Sequence, residues 1–296
     1  MKKLKTMSLL LAGVLAGLFP ACTQDDGPTS DSKGKVNVLL TDAPFPADQV
    51  AEANIVIDRI EIRKGGSEDS VQFYVISDEQ QEFNLLDLRN GVTAKIGEAD
   101  LEPGVYDQLR LHIVESNIVL NDEANTVFDM KIPSGSSSGL KINIMNGLEV
   151  TGGSTTTLIL DFDVSKSFVV QGNPNTHAGI KGFIFKPVIR ATVKDIAGSI
   201  EGTVIDSTAK TPIVNVPVEV LQDTLVISTA LTNEQGYYAV IGLLPGNYWI
   251  RANAEGYQEF KATGVEVKEQ EKTVVDISMA PTPAAPAATT TTNTGN

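Results

Sequence analysis

The sequence is short of the residues that do chemistry. It has one cysteine, one tryptophan and two histidines in 296 residues. A single cysteine cannot close an intramolecular disulfide, so the folded parts must stand on their apolar cores. The histidines, His112 and His177, sit in no catalytic motif. Nucleophilic catalysis needs a base beside its nucleophile, and the chain holds no G-x-S-x-G, no H-E-x-x-H and no Walker loop. Basic residues are also scarce. Lys plus Arg is 23 against 37 for Asp plus Glu, a net charge of -14. An acidic surface repels phosphate backbones, and no basic stripe with interleaved aromatics reverses that, so nucleic acid is excluded as a partner. Apolar content of 42% is that of a globular chain, neither disordered nor multi-spanning. The length suits two domains.

The one long apolar run is at the start. Lys2, Lys3 and Lys5 precede Leu9 to Phe19 (LLLAGVLAGLF), and the small Ala21 follows. This is the secretory signal pattern. Met7 to Ala21 is fifteen residues, short of the roughly 20 that span a bilayer. Cys22 comes next and resembles the lipobox cysteine of bacterial lipoproteins, with Ala21 conforming and Phe19-Pro20 departing from the usual box. The resemblance implies loss of residues 1–21 and a diacylglycerol thioether on Cys22. Acyl burial contributes about 0.8 kcal/mol per CH₂, so several chains hold firmly. Gln24-Asp25-Asp26 resembles the acidic export signal of some Gram-negative lipoproteins. It is equally the start of a flexible tether, residues 22–35. The expectation is an outer membrane lipoprotein of a Gram-negative bacterium, surface-exposed or periplasmic.

From Val36 onward the apolar period is two. Val36-Val38-Leu40, Leu109-Leu111-Ile113, Leu140-Ile142-Ile144 and Leu158-Leu160-Phe162-Val164 each alternate with their neighbours. Such alternation predicts half-buried strands in antiparallel sheets. Turn signals such as Gly65-Gly66, Pro103-Gly104, Pro133-Ser134-Gly135, Gly152-Gly153 and Asn173-Pro174-Asn175 separate them. Short helical turns are expected at 47–53 and 84–91. Seven strands are read between 197 and 279, in GSIEGTVID, VPVEVLQ, LVISTALT, YYAVIGL, GNYWIRANA, GVEVKEQ and KTVVDISM. After Met279 the composition is that of a disordered tail, residues 280–296. The fold class expected is all-β: two antiparallel β-sandwich-type domains in series, at 36–195 and 197–279.

Two resemblances sharpen this. Gly198, Gly202-Thr203-Val204, Pro217-Val218, Thr232-Asn233-Glu234-Gln235-Gly236-Tyr237-Tyr238, Leu244-Pro245-Gly246-Asn247-Tyr248 and Ala254-Glu255-Gly256-Tyr257 make the second unit similar to a carboxypeptidase regulatory-like domain. That family implies a seven-stranded transthyretin-like, carbohydrate-binding-like sandwich. The first unit resembles the bacterial family called domain of unknown function 4382. The resemblance runs through Val38-Leu39-Leu40-Thr41-Asp42-Ala43-Pro44, Asp87-Leu88, Asn90-Gly91, Pro103-Gly104-Val105-Tyr106, Leu160-Asp161-Phe162-Asp163 and Lys186-Pro187-Val188-Ile189-Arg190. That family implies no activity.

Three features could carry a site. Asp161 and Asp163 lie on one strand face about 7 Å apart, and with Asp42 they could share a hard cation. The competing and preferred reading is a solvated face, or carboxylates capping a loop, with no metal and no cofactor. Among Tyr237, Tyr238, Tyr248, Trp249 and Tyr257, one of Tyr248 and Trp249 must face outward, and Trp249 is the sugar-stacking candidate. Core packing is the preferred reading. Ser70, Ser207 and Thr224, each after an aspartate, resemble acceptors of a bacterial O-glycosylation system. The function expected is non-enzymatic: binding, adhesion or scaffolding at the envelope, with carbohydrate or an envelope protein as partner. The alternatives are an accessory subunit of an uptake or pilus-like assembly, and a hydrolase using Asp42, Asp161 and Asp163 in one cleft.

Overall fold

The computed structural model describes residues 32–43, 49–66, 72–132, 138–173 and 176–283. Cys22, Ser70, the leader and almost all of the tail lie outside these residues. The chain is all-β, as its alternation predicts. Twelve strands build the first unit: β1 (Gly34–Ala43), β2 (Val50–Lys64), β3 (Phe73–Ser77), β4 (Gln81–Asn84), β5 (Ala94–Leu101), β6 (Gly104–Leu120), β7 (Val127–Asp129), β8 (Leu140–Val150), β9 (Thr155–Asp163), β10 (Phe168–Gly172), β11 (Ile180–Phe185) and β12 (Ile189–Val193).

Ten of them share one sheet in the order β3-β2-β6-β8-β12-β9-β1-β5, with β4 and β7 paired onto β2 and β6. The sheet curls until its ends meet. An added Cβ at Gly97 of β5 would sit 2.8 Å from Ile76 of β3, and Gln81 donates to the Ile96 carbonyl at 3.2 Å. The antiparallel expectation holds for most pairs but not all. β1 runs parallel to β9, and β12 parallel to β8. The cause is topological: the first strand inserts between β5 and β9 rather than beside its sequence neighbour. The helical turn expected at 84–91 forms as a 3-10 turn, Leu85–Leu88, with the Asn84 side chain capping Leu86 N–H. Of the one expected at 47–53, Gln49 lies in a 3-10 turn, while Val50 to Ala53 instead extend the long ladder to β6.

The inward rows fill the barrel. Val36, Val38, Leu40, Leu109, Leu111, Ile113, Leu158, Leu160 and Phe162 are all buried in one cluster. The separate hairpin β10-β11 adds Phe168 and Phe185 to it. Their rings pack on Phe162, with centroids 6.3 and 6.2 Å away.

The second unit has eight strands: β13 (Gly198–Asp206), β14 (Pro217–Gln222), β15 (Leu225–Leu231), β16 (Tyr237–Leu243), β17 (Gly246–Ala252), β18 (Phe260–Val267), β19 (Lys272–Val274) and β20 (Ile277–Met279). KTVVDISM, expected as one strand, is two. The chain leaves the ladder at Val275-Asp276, whose carboxylate takes the Thr203 N–H at 2.9 Å, and then resumes alongside β13. The sheets β16-β13-β19 (with β20) and β15-β14-β17-β18 enclose a core around Tyr238, Val240, Tyr248 and Ile250.

Phe162 is fully buried at the centre of three stacked rings. Phe162→Ala should cost about 3–5 kcal/mol of stability, read as a fall in the urea midpoint. A change within error would mean that the hairpin does not lean on that ring.

Candidate functional site

The three candidate aspartates cluster at the C-terminal ends of β1 and β9. Thr41 lies opposite Asp161, and Ala43 opposite Asp163. They do not form a solvated face. Every residue from Leu158 to Asp163 is buried, because the barrel core covers one side of β9 and the second unit covers the other. Asp161 pairs with Arg190 and accepts from Ser228 Oγ at 3.4 Å. Asp163 caps the short helical turn Val164–Ser167, accepting from Lys166 N at 3.1 Å and Ser165 Oγ at 2.7 Å, and pairs with Lys166 Nζ at 2.7 Å. This is the loop-capping reading of Asp163.

Asp42 is different. Its Oδ1 accepts from Val164 N at 3.4 Å, while its Oδ2 is buried without a partner. Burial first, and then the neighbouring Asp161, push the Asp42 carboxyl well above the usual range. The void beside Asp42 and Asp161 holds about 10 Å³. That admits at most a water. The carboxylates do converge, but among the described residues the space beside Asp42 and Asp161 is too small for a substrate, which counts against the hydrolase alternative. Among the described residues no His/Cys/Asp/Glu group is arranged to hold a metal ion.

His112 is buried against Gly139 and lies 3.1 Å from Glu61 through Nε2. His177 starts a 3-10 turn after Thr176.

The aromatic candidates separate cleanly. Tyr248 enters the core and its hydroxyl donates to the Leu244 carbonyl at 2.7 Å. Tyr238, Tyr257 and Tyr237 donate to Val275 O, Asp206 and Glu201 at 2.7, 3.0 and 3.0 Å. Trp249 alone is open, at 48% exposure. Its neighbour across the sheet is Leu221, and the Arg251–Glu219 pair lies two residues along the strand. An indole beside an ion pair on a flat sheet face can take the apolar face of a sugar ring. Thr224 is exposed and Ser207 half-buried, both next to turns. Either hydroxyl is near the surface.

The sequence did not single out the contact between the two units. Arg89 to Val92 is a turn closed by Val92 N to Arg89 O at 3.2 Å, with Asn90 at φ 55° and Gly91 at φ 79°. Positive φ at both central positions is the type I′ signature of Asn-Gly. The turn aims the Asn90 amide at the second unit. Its Nδ2 donates to Leu231 O of β15 at 3.0 Å, and its Oδ1 accepts Ala239 N of β16 at 3.3 Å. β15 and β16 are the outer strands of their two sheets. One side chain therefore bonds to one group on each edge. Gly91 lets them approach: an added Cβ would lie 3.3 Å from Ile241. Clefts of about 570 and 460 Å³ flank this contact.

A family profile described as Domain of unknown function (DUF4382) matches residues 33–187, and one described as Carboxypeptidase regulatory-like domain matches residues 199–280. Both agree with the resemblances read from the sequence, in the same order. No curated protein matches the chain. Among solved structures, a candidate carbohydrate binding protein from Bacteroides uniformis is 18% identical at a TM-score of 0.25, over 28% of this chain and 41% of that one. Hydroxyquinol 1,2-dioxygenase from Pseudomonas putida is 10% identical at a TM-score of 0.25, over 29% of this chain and 57% of that one. The chain thus spans less than two thirds of either. The shaft pilin SpaA from Lactobacillus rhamnosus GG is 10% identical at a TM-score of 0.28, over 86% of this chain and all of that one. Similarities of this size leave function to be read from the residues.

Two outcomes follow. Asn90→Ala strands the Ala239 N–H and the Leu231 carbonyl, at about 1–3 kcal/mol of docking free energy. Trypsin should then cut faster at Lys194, between the units, while each unit keeps its own β signature. An unchanged cutting rate would remove Asn90 from the role of clasp. The second outcome concerns pH. A carboxyl raised in the fold stabilises it when protonated, and that contribution fades as pH rises through its folded pKa. Asp206 and Asp122, lowered chiefly by hydrogen bonds, act oppositely and lose their contribution as pH falls. Wild-type stability should peak on the acid side of neutral. Asp42→Asn should raise the melting temperature above pH 7 and move the peak upward. A parallel pair of pH–stability curves would refute the assignment.

Proposed function

The chain belongs to the family described as domain of unknown function (DUF4382), and from that premise we propose that it is a non-enzymatic binding protein of the cell envelope. In this reading the lipid sits on Cys22, in the outer membrane of a Gram-negative bacterium, and the tether joins the barrel at Lys33. The second unit meets the barrel along the Leu39–Asp42 end of β1. Lys33 and Asp42 are roughly 30 Å apart along an extended strand. The junction is thereby held away from the point of attachment.

The observation that carries the reading is Trp249. Each of the four tyrosines singled out with it has its hydroxyl bonded within the fold, whereas the indole is half-exposed on the outer face of β17. An unpacked aromatic on a flat, polar-flanked sheet suits stacking against an extended polysaccharide or another envelope polymer. The pilus-like alternative needs an open edge strand to add to a partner. β18 pairs only with β17, but Gly264 at φ 71° bulges it and Lys261 and Glu266 charge it. Such an edge discourages pairing.

Trp249 is the chain's one tryptophan, so its fluorescence reports this platform with no background from another indole. Titration with soluble polysaccharides should blue-shift and change the emission. Trp249→Ala should weaken retardation of the protein in polysaccharide-containing gels by about tenfold, the worth of one good stacking contact. Emission indifferent to every polymer tried, with equal retardation of both proteins, would end the platform reading.

A further inference from the structure

We infer that the larger junction cleft, between the 86–92 segment of the barrel and the β15–β16 connection, is a binding site for a short neutral oligosaccharide. This rests on the carbohydrate reading above but assigns a second, concave site more selective than a single exposed indole. The cleft measures about 570 Å³, within the roughly 300–1,000 Å³ of small-molecule sites, and it lies where such sites concentrate, between two domains.

Its walls combine two kinds of group. Val92 and Val214 both line it and are 51% and 45% exposed. They come from different units yet border the same space, and the Tyr237 ring joins them. These surfaces suit the C–H face of a pyranose. Between them stand Asp87, Asn215 and Glu234, all exposed, whose side chains make no hydrogen bond or ion pair among the described residues. Arg89 holds the Leu86 carbonyl through Nε, and its two terminal nitrogens make no hydrogen bond or ion pair among the described residues. Carboxylate, amide and guanidinium groups each offer two coplanar polar atoms, the spacing that grips a vicinal diol.

The charge decides between ligand classes. Two carboxylates face one guanidinium, so neither a polyanion nor a polycation is matched, and the net charge of -14 further disfavours an anion. A peptide strand is disfavoured too. It would need the free edge groups of β15 and β16, and the nearest, Leu231 O and Ala239 N, are taken by Asn90. A polyhydroxylated neutral ligand remains.

The test uses the full mature chain and calorimetric titration with cellotriose, maltotriose and tri-N-acetylchitotriose, with a sulfated heparin trisaccharide as the anionic comparison. At least one neutral trisaccharide should bind. Asp87→Ala and Asn215→Gly, the glycine keeping the left-handed backbone at φ 58°, should each weaken it by about tenfold with little change in thermal unfolding, while Trp249→Ala should leave it as it was. If Trp249→Ala abolishes binding and the cleft variants match wild type, the cleft proposal falls and the carbohydrate reading stands. Preference for the sulfated sugar would overturn the neutral assignment. Should no sugar bind at millimolar concentration, in titration or in gel retardation, both fall together.

Discussion

The arrangement of this molecule depends on the amide of Asn90. Two β-sheets that close a sandwich leave outer strands with unpaired N–H and C=O groups, and such edges invite pairing with other chains. Here the edges at β15 and β16 meet one side chain that offers both a donor and an acceptor, on a turn whose next residue has no Cβ to hold them off. The barrel thus serves as the cap its neighbour lacks. Both clefts exist only because this contact is narrow and lies between them.

The same docking explains the burial that surrounds it. β9 and β16 each bury both faces. Leu158, Leu160 and Phe162 point into the barrel, and Tyr238 and Val240 into the sandwich. Their alternate rows, Ile159 and Asp161 against Ala239 and Ile241, meet at the junction. A carboxylate placed there must be paired, and Asp161 is, with Arg190 from the next strand. Asp42 has only a weak backbone donor and is the one member of the group left under electrostatic strain.

Much of this was legible in the sequence. Period-two alternation gave the strands, and the turn clusters gave most boundaries. The parity of Tyr248 and Trp249 required one of them to face outward. What could not be read was which outward rows meet each other. Alternation at Ile159-Asp161-Asp163 looks the same whether water or another domain lies beyond it. Asn90-Gly91 announced a turn by its dipeptide, but a turn signal carries no information about what docks on its tip. Parallel pairing of β1 with β9 was equally hidden, since over one hundred residues separate them. The residues of the larger cleft were silent for a related reason. Asp87 comes from the 3-10 turn, and Asn215 and Glu234 from two loops of the second unit, so they form a group only once the junction closes.

One consequence concerns mechanical load. β1 is bonded on both sides over most of its length, antiparallel to β5 and parallel to β9. A pull entering at Lys33 runs along the strand axis, across its hydrogen bonds rather than away from them. Bonds loaded in shear must yield together, whereas bonds at a hairpin end yield one at a time. The first strand of the barrel is therefore built to resist tension entering from its N-terminal end.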